Sequence, residues 1–94
     1  MELFNVAERL AYVLRGKNRR TVYGLMLDGI QTPSQISRSS DIAVSNVSRV
    51  LREYENNGLV TKLTSSKNQC SLYILTEVAL EFKQEFLKFL EIKI

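Results

Sequence analysis

Residues 32–60, TPSQISRSSDIAVSNVSRVLREYENNGLV, contain the pattern that decides the fold. Thr32 can cap a helix that begins at Pro33, and Gln35, three residues after the cap, can reach back to it. These residues predict a short helix whose apolar residue, Ile36, faces inward.

A longer helix is predicted over residues 44–57, because apolar residues recur on one side of it and Asn57-Gly58 ends it. At about 100° per residue, Val47, Leu51 and Tyr54 share this side. Arginine can bind guanine edges or phosphates, asparagine can recognise adenine, and serine allows close approach to bases. Arginine, asparagine and serine side chains occupy the side of this helix opposite to the apolar one. Ser45, Arg49 and Arg52 lie at its centre, and Asn46 and Ser48 lie at its margins. The position of Val44 allows it either to border the core or to point outward.

The remaining segments predict the other elements of the chain. Apolar residues at helical spacing indicate a first helix over 2–15 and a second one capped by Asn18. Two short apolar runs, 59–63 and 70–75, indicate a β-hairpin with a polar tip. Thr76 can cap a final helix. This order predicts a single domain over residues 1–94, mainly α with a small β-hairpin, in which helix 44–57 enters a DNA major groove.

The quoted stretch, followed by a short hairpin that ends in YILTE, resembles the winged helix-turn-helix regulators of the MarR and ArsR type, especially small archaeal ones. The resemblance covers residues 19–77. The resemblance implies a sequence-specific DNA-binding dimer. It places Ser45, Asn46, Ser48 and Arg49 at the major groove, and Val44 close enough to touch a thymine methyl group. It makes residues 64–69 the wing, whose tip touches phosphate or the minor groove.

The turn before the longer helix departs from the family pattern in three places. The usual glycine is Asp41, a usual core leucine is Ser40, and the usual serine cap is Ala43. We therefore expect a looser or differently angled turn.

The candidate DNA-binding residues lie in the longer helix, at the tip of the wing, and at the start of the short helix, where capping alone also explains them. They are Val44, Ser45, Asn46, Ser48, Arg49 and Arg52; Ser66, Lys67 and Asn68; and Thr32, Ser34 and Gln35. A basic rim for phosphate is a further hypothesis, against the alternative of an ordinary solvated helix boundary. It comprises Arg15, Lys17, Arg19 and Arg20 with Lys62 and Lys67 of the hairpin.

Composition narrows the functional classes. Thirteen Lys and Arg against ten Asp and Glu give a net charge of +3, which suits a polyanionic partner without requiring one. The chain has no histidine and no glycine-rich phosphate loop, and its carboxylates have solvent-face spacing, so we expect neither an enzyme nor a cofactor. Cys70, the single cysteine, cannot supply a metal site and is expected to be a small core residue rather than a redox switch.

We expect a cytoplasmic protein with no membrane partner. The start of the sequence lacks the pattern of a signal peptide, and no apolar run reaches the roughly 18 residues of a membrane span. A single cysteine also suits a reducing compartment.

Broad apolar stripes on segments 1–16 and 77–94 favour a homodimer formed by the terminal helices. The alternative is that Phe82, Phe86 and Phe89 pack on the first helix within one chain. The alternative function is a winged helix that docks proteins without binding DNA, which an acidic outer face would favour; this face is not acidic. Binding of RNA or single strands usually needs exposed aromatic residues, and Tyr73 is expected to pack inward.

Overall fold

The computed structural model describes residues 5–63 and 71–93, with the side chains of 5–63 and 71–92. The predicted class, mainly α with one β-hairpin, is confirmed. The two strands are antiparallel, with Val60 opposite Leu75. In chain order the elements are α1 (Val6–Arg15), α2 (Lys17–Met26), α3 (Pro33–Ser40), α4 (Val44–Asn56), β1 (Val60–Leu63), β2 (Leu72–Leu75), α5 (Glu77–Leu80) and α6 (Lys83–Lys93).

The capping box predicted at the start of α3 is confirmed. The Thr32 hydroxyl accepts a hydrogen bond from the Gln35 amide at 3.1 Å, and the Gln35 side-chain oxygen accepts one from the Thr32 amide at 2.8 Å. A second box, between Asn5 and Glu8, begins α1. Both boxes satisfy backbone amides that lack a partner within the helix.

The predicted cap of α2 is wrong, because this helix begins at Lys17 and its N-cap is Gly16 rather than Asn18. Gly16 is extended, so α2 follows α1 without a loop. The Gly16 carbonyl accepts the Arg20 amide at 2.9 Å, which closes the first turn.

The core lies between α2, α3, α4 and the hairpin. Residues of α1, of α5, of the junction after α5 and of α6 are buried in the same cluster: Val13, Ala79, Phe82 and Phe86. Val47, Leu51 and Tyr54 of α4 are buried as predicted, and Ile36 of α3 is buried with them. Val50 of α4, which the predicted stripe did not include, is buried too.

The hairpin has an additional partner that the sequence did not indicate. The Gln31 amide donates to the Tyr73 carbonyl at 3.1 Å and the Tyr73 amide donates to the Gln31 carbonyl at 2.9 Å. The first strand is shorter than predicted and begins at Val60. The residue before it, Leu59, donates its amide to the Tyr54 carbonyl at 2.8 Å and so closes the end of α4. Cys70 and the wing tip lie outside the described residues.

The single C-terminal helix predicted after Thr76 is wrong, because α5 and α6 are separated at Glu81-Phe82. The Ala79 carbonyl accepts the Tyr23 hydroxyl at 2.6 Å. Phe82, fully buried at the break, stacks on the Tyr23 ring with centroids 5.1 Å apart. Tyr23 thus contacts both sides of the break, and its hydroxyl binds the Ala79 carbonyl, which would accept the amide of residue 83 in a continuous helix.

Phe82 and Phe86 pack within one chain, as the alternative to a dimer proposed, but they pack on α2 rather than only on α1. Phe86 meets the Tyr23 ring edge-on at 4.6 Å, and Phe89 is half-buried. An apolar set nevertheless remains exposed on the terminal helices: Val6, Leu80, Leu87, Leu90 and Ile92. Among the described residues, no helix is long and apolar enough to cross a membrane.

Candidate nucleic-acid interface

The outer side of α4 is polar and open to solvent, as predicted. Ser45, Arg49 and Arg52 are exposed, while Asn46 and Ser48 at the margins are half-buried. The side chain of Val44 is 47% exposed, so it points outward and does not border the core. All six α4 candidates therefore have surface available to a ligand.

Asn46 and Arg49 are joined on this surface. The Arg49 guanidinium donates to the Asn46 side-chain oxygen at 3.2 Å, across one turn of α4. Residues three apart on a helix are neighbours, so the pairing needs no distortion of the backbone. It leaves the Asn46 amide hydrogens and the remaining Arg49 N–H groups facing outward.

The turn between α3 and α4 is well tied, contrary to the expectation of a looser turn. Asp41 takes the left-handed conformation of the usual glycine, with φ 64°, which aspartate tolerates better than most residues. Ser37 donates its hydroxyl to the Ile42 carbonyl at 2.6 Å, and the Ser40 hydroxyl accepts the Ile42 amide at 3.2 Å. Ala43 provides no side-chain cap for α4.

The basic run at residues 15–20 divides into two pairs. Arg19 donates to the Tyr12 carbonyl at 3.0 Å and Arg20 donates to the Leu14 carbonyl, so both cap the C-terminal end of α1. This is a structural role, because the last carbonyls of a helix lack partners within it. Arg15 and Lys17 are exposed and stay candidates for the phosphate rim, whereas Arg19 and Arg20 are half-buried and are engaged by these carbonyls.

Arg15 and Lys17 lie beside α4 along two adjoining clefts. One, of about 540 Å³, is lined by both of these cations together with Arg49 and Glu53. The other, of about 360 Å³, is lined by Lys17, Asn18, Asn46 and the turn before α4. The two clefts share Lys17 and Asn18, and together they extend from the outer side of α4 to the start of α2.

Glu53 is the acidic side chain at this edge of α4, and it faces α1 and α2. The Tyr12 hydroxyl donates to its carboxylate at 3.5 Å, and Arg19 Nε lies 3.9 Å from the same oxygen. The Arg19 guanidinium also lies over the Tyr12 ring, 4.0 Å from its centroid. Burial raises the pKa of the Tyr12 hydroxyl, and the charge of Arg19 opposes this rise. No local pattern in the sequence indicates this Tyr12–Arg19–Glu53 cluster.

The other candidate residues are placed less favourably or are not described. The side chains of Thr32 and Gln35 are engaged in the capping box, whereas Ser34 is exposed. Lys62 is exposed on β1. The wing candidates Ser66, Lys67 and Asn68 lie outside the described residues. In the part of the chain that is described, no group of three or more His, Cys, Asp or Glu residues could hold a metal ion.

Solved structures share this fold. The redox regulator HypR in its reduced form has a TM-score of 0.79 and 24% identity, over 90% of this chain and 86% of HypR. The reduced transcriptional regulator YodB from B. subtilis has a TM-score of 0.77 and 17% identity, over 96% and 90%. A mutant of the type III plasmid segregation protein TubR has a TM-score of 0.74 and 14% identity, over 93% and 98%.

No family model matches the sequence, and no curated protein matches it. The structural likeness shows that the chain has the winged-helix fold found in regulators. At these identities it shows the fold alone, and the role of the chain has to be argued from its surface.

Proposed function

We propose that this protein binds double-stranded DNA in a sequence-specific manner and regulates transcription, with α4 in the major groove. The observation that carries the proposal is the outer side of α4, where Ser45, Arg49 and Arg52 are exposed and no carboxylate lies between them. Arginine and serine are suited to base edges and phosphates. The regulatory role is supported by its fold, which it shares with regulators such as YodB.

Recognition of guanine by Arg49 is the base contact that we propose. Bidentate recognition of adenine by Asn46 would need its side-chain oxygen as an acceptor, and that oxygen already accepts from Arg49. That oxygen keeps a second lone pair, so the pair offers several donors and one remaining acceptor position to a ligand. Guanine presents two acceptors, O6 and N7, at its major-groove edge. Recognition of adenine by Asn46, which the sequence suggested, remains a proposal beside this guanine contact.

Contacts to the DNA backbone are proposed for two exposed cations beside α4. Arg15 and Lys17 are exposed on the surface that adjoins Arg49, where phosphates would flank an inserted helix. Val44, exposed at the start of α4, is proposed to contact a thymine methyl group. Lys62 and the wing residues 66–68 remain candidates for the opposite flank.

A homodimer is the proposed assembly, and the cytoplasm the proposed compartment. The exposed apolar side chains of α1, α5 and α6 would be covered by a second copy of the chain. A two-fold axis through these helices would present two copies of α4 to half-sites about one helical turn apart, roughly 34 Å. We also propose that the protein belongs to the MarR and ArsR type that residues 19–77 resemble, especially to its small archaeal members.

Selection from a random duplex pool tests the sequence-specific part of the proposal. The purified chain is expected to enrich one motif that contains guanine, repeated in inverted orientation if the protein is a dimer. Enrichment of no motif, with binding still present, would limit the protein to non-specific DNA association. Absence of binding would leave the docking of a protein partner as the better use of the fold.

A further inference from the structure

Arg49 and Glu53 lie four residues apart on α4 and line the same cleft. Oppositely charged side chains at this spacing attract each other across one helical turn. If Glu53 paired with Arg49, its carboxylate would neutralise the guanidinium and occupy donors that a guanine edge requires. Some other contact must therefore hold Glu53 if Arg49 is to bind a base.

The structure supplies such contacts from outside α4. Glu53 is held by the Tyr12 hydroxyl at 3.5 Å and by Arg19 at 3.9 Å. Within the described ranges, 5–63 and 71–93, the only guanidinium paired with Glu53 is that of Arg19. Arg49 donates instead to the Asn46 side-chain oxygen.

Arg19 is itself fixed in a position in which it can pair with the Glu53 carboxylate. It donates to the Tyr12 carbonyl at 3.0 Å and lies over the Tyr12 ring, which restricts the guanidinium to one place. The Arg19 carbonyl accepts the hydroxyl of Tyr54, the buried neighbour of Glu53, at 2.6 Å. This bond ties the backbone of α2 at Arg19 to the side of α4 that carries Tyr54.

We propose that Tyr12 and Arg19 act as positioning residues that hold the Glu53 carboxylate away from Arg49, so that Arg49 stays free to bind guanine. This proposal rests on the proposed DNA binding. It makes α1, through Tyr12, part of the apparatus that determines DNA affinity although α1 does not touch a base.

The proposal is tested by measuring the duplex affinity of Arg19→Gln alone and of two double variants, in which Glu53→Gln or Glu55→Gln is added. The single variant is expected to bind about two- to fivefold more weakly, because Glu53 then competes for Arg49. Adding Glu53→Gln should restore the affinity. Adding Glu55→Gln, which removes the same charge from an exposed position on α4, should not. Equal restoration by both would show an effect of net charge alone and overturn the proposal.

A loss of affinity that Glu53→Gln does not restore, in a variant with the native circular dichroism spectrum, would also overturn it. If Arg19→Gln does not fold, Tyr12→Phe replaces it with the same pair of second substitutions, since it removes one contact to Glu53 and no charge.

A measurement without DNA separates failure of this proposal from failure of the proposed function. The Nε–H signal of Arg49 in the NMR spectrum of the free protein should shift in Arg19→Gln and return in Arg19→Gln/Glu53→Gln. An Arg49 signal unchanged by Arg19→Gln contradicts the positioning role whether or not DNA binds. A protein that shows the expected shifts but binds no duplex would instead refute only the DNA-binding function.

Discussion

The hydroxyl of Tyr54, on the buried side of α4, donates a hydrogen bond of 2.6 Å to the backbone carbonyl of Arg19 in α2. The two residues are 35 positions apart, and the bond fixes the proposed recognition helix against the helix that follows α1. A buried tyrosine hydroxyl needs a partner, and this carbonyl, which lies in the first turn of α2, has a second lone pair that can accept it besides its helical bond.

Tyr54→Phe is expected to lower the free energy of unfolding by about 0.5–1.5 kcal/mol, because the hydrogen bond between the hydroxyl and the Arg19 carbonyl is lost. Urea denaturation measures this change. Tyr73→Phe serves as the control, since the Tyr73 hydroxyl donates to no described residue, and a change below about 0.5 kcal/mol is expected there. Equal losses in both variants would contradict the importance of the Tyr54 bond.

Alkaline pH should destabilise the protein through its buried tyrosines. Burial raises the pKa of the Tyr23 and Tyr54 hydroxyls well above the usual value. In the unfolded chain both lose their protons near pH 10, so above about pH 10 the unfolded state binds fewer protons and the free energy of unfolding falls as pH rises. Urea midpoints between about pH 9 and about pH 11, with tyrosinate absorbance, measure this effect. Ionisation of all four tyrosines without unfolding would refute it.

Arg49→Ala and Lys17→Ala should weaken DNA binding in different ways. Arg49→Ala is expected to cost roughly 1–3 kcal/mol on a selected site and to relax the preference for guanine, because it removes a base contact. Lys17→Ala should weaken all duplexes similarly and reduce the salt slope by about 1, as expected for one phosphate contact. Competition titrations with matched and mismatched duplexes separate the two. Equal losses on every sequence would remove Arg49 from the residues that recognise bases.

Leu87→Lys should dissociate the proposed dimer, because it places a charge in the exposed apolar surface of α6. Sedimentation velocity compares it with Gln84→Lys, which adds the same charge at an exposed polar position of this helix. The control variant is expected to sediment as the dimer. A wild-type chain that sediments as a monomer would contradict the proposed assembly.

The helix-turn-helix could be predicted from the sequence because its determinants are local. The capping box at Thr32, the apolar spacing that buries Val47, Leu51 and Tyr54, and the end of α4 at Asn57-Gly58 depend on residues close in sequence. The same periodicity predicted which side of α4 would be exposed.

The errors concern features that distant residues determine. The break between α5 and α6 depends on Tyr23, whose hydroxyl bonds to a carbonyl 56 residues away. Arg19 and Arg20 cap the end of α1, whereas Arg15 and Lys17 are exposed. This difference depends on which carbonyls of α1 need donors, and the pattern of charges in the sequence does not reveal it. The contact between Tyr12 and Glu53 joins residues 41 positions apart, so no local pattern could have indicated it.

Fluorescence anisotropy of a mixed-sequence duplex, titrated with the wild-type protein between about 50 mM and about 200 mM salt, tests the central claim most directly. The affinity should fall steeply and linearly on logarithmic axes. It should drop sharply in Arg49→Ala/Arg52→Ala, but little in Lys83→Ala/Lys88→Ala, which removes the same charge from α6. Absence of binding at low salt, or equal loss in the two double variants, would contradict DNA recognition by the outer side of α4.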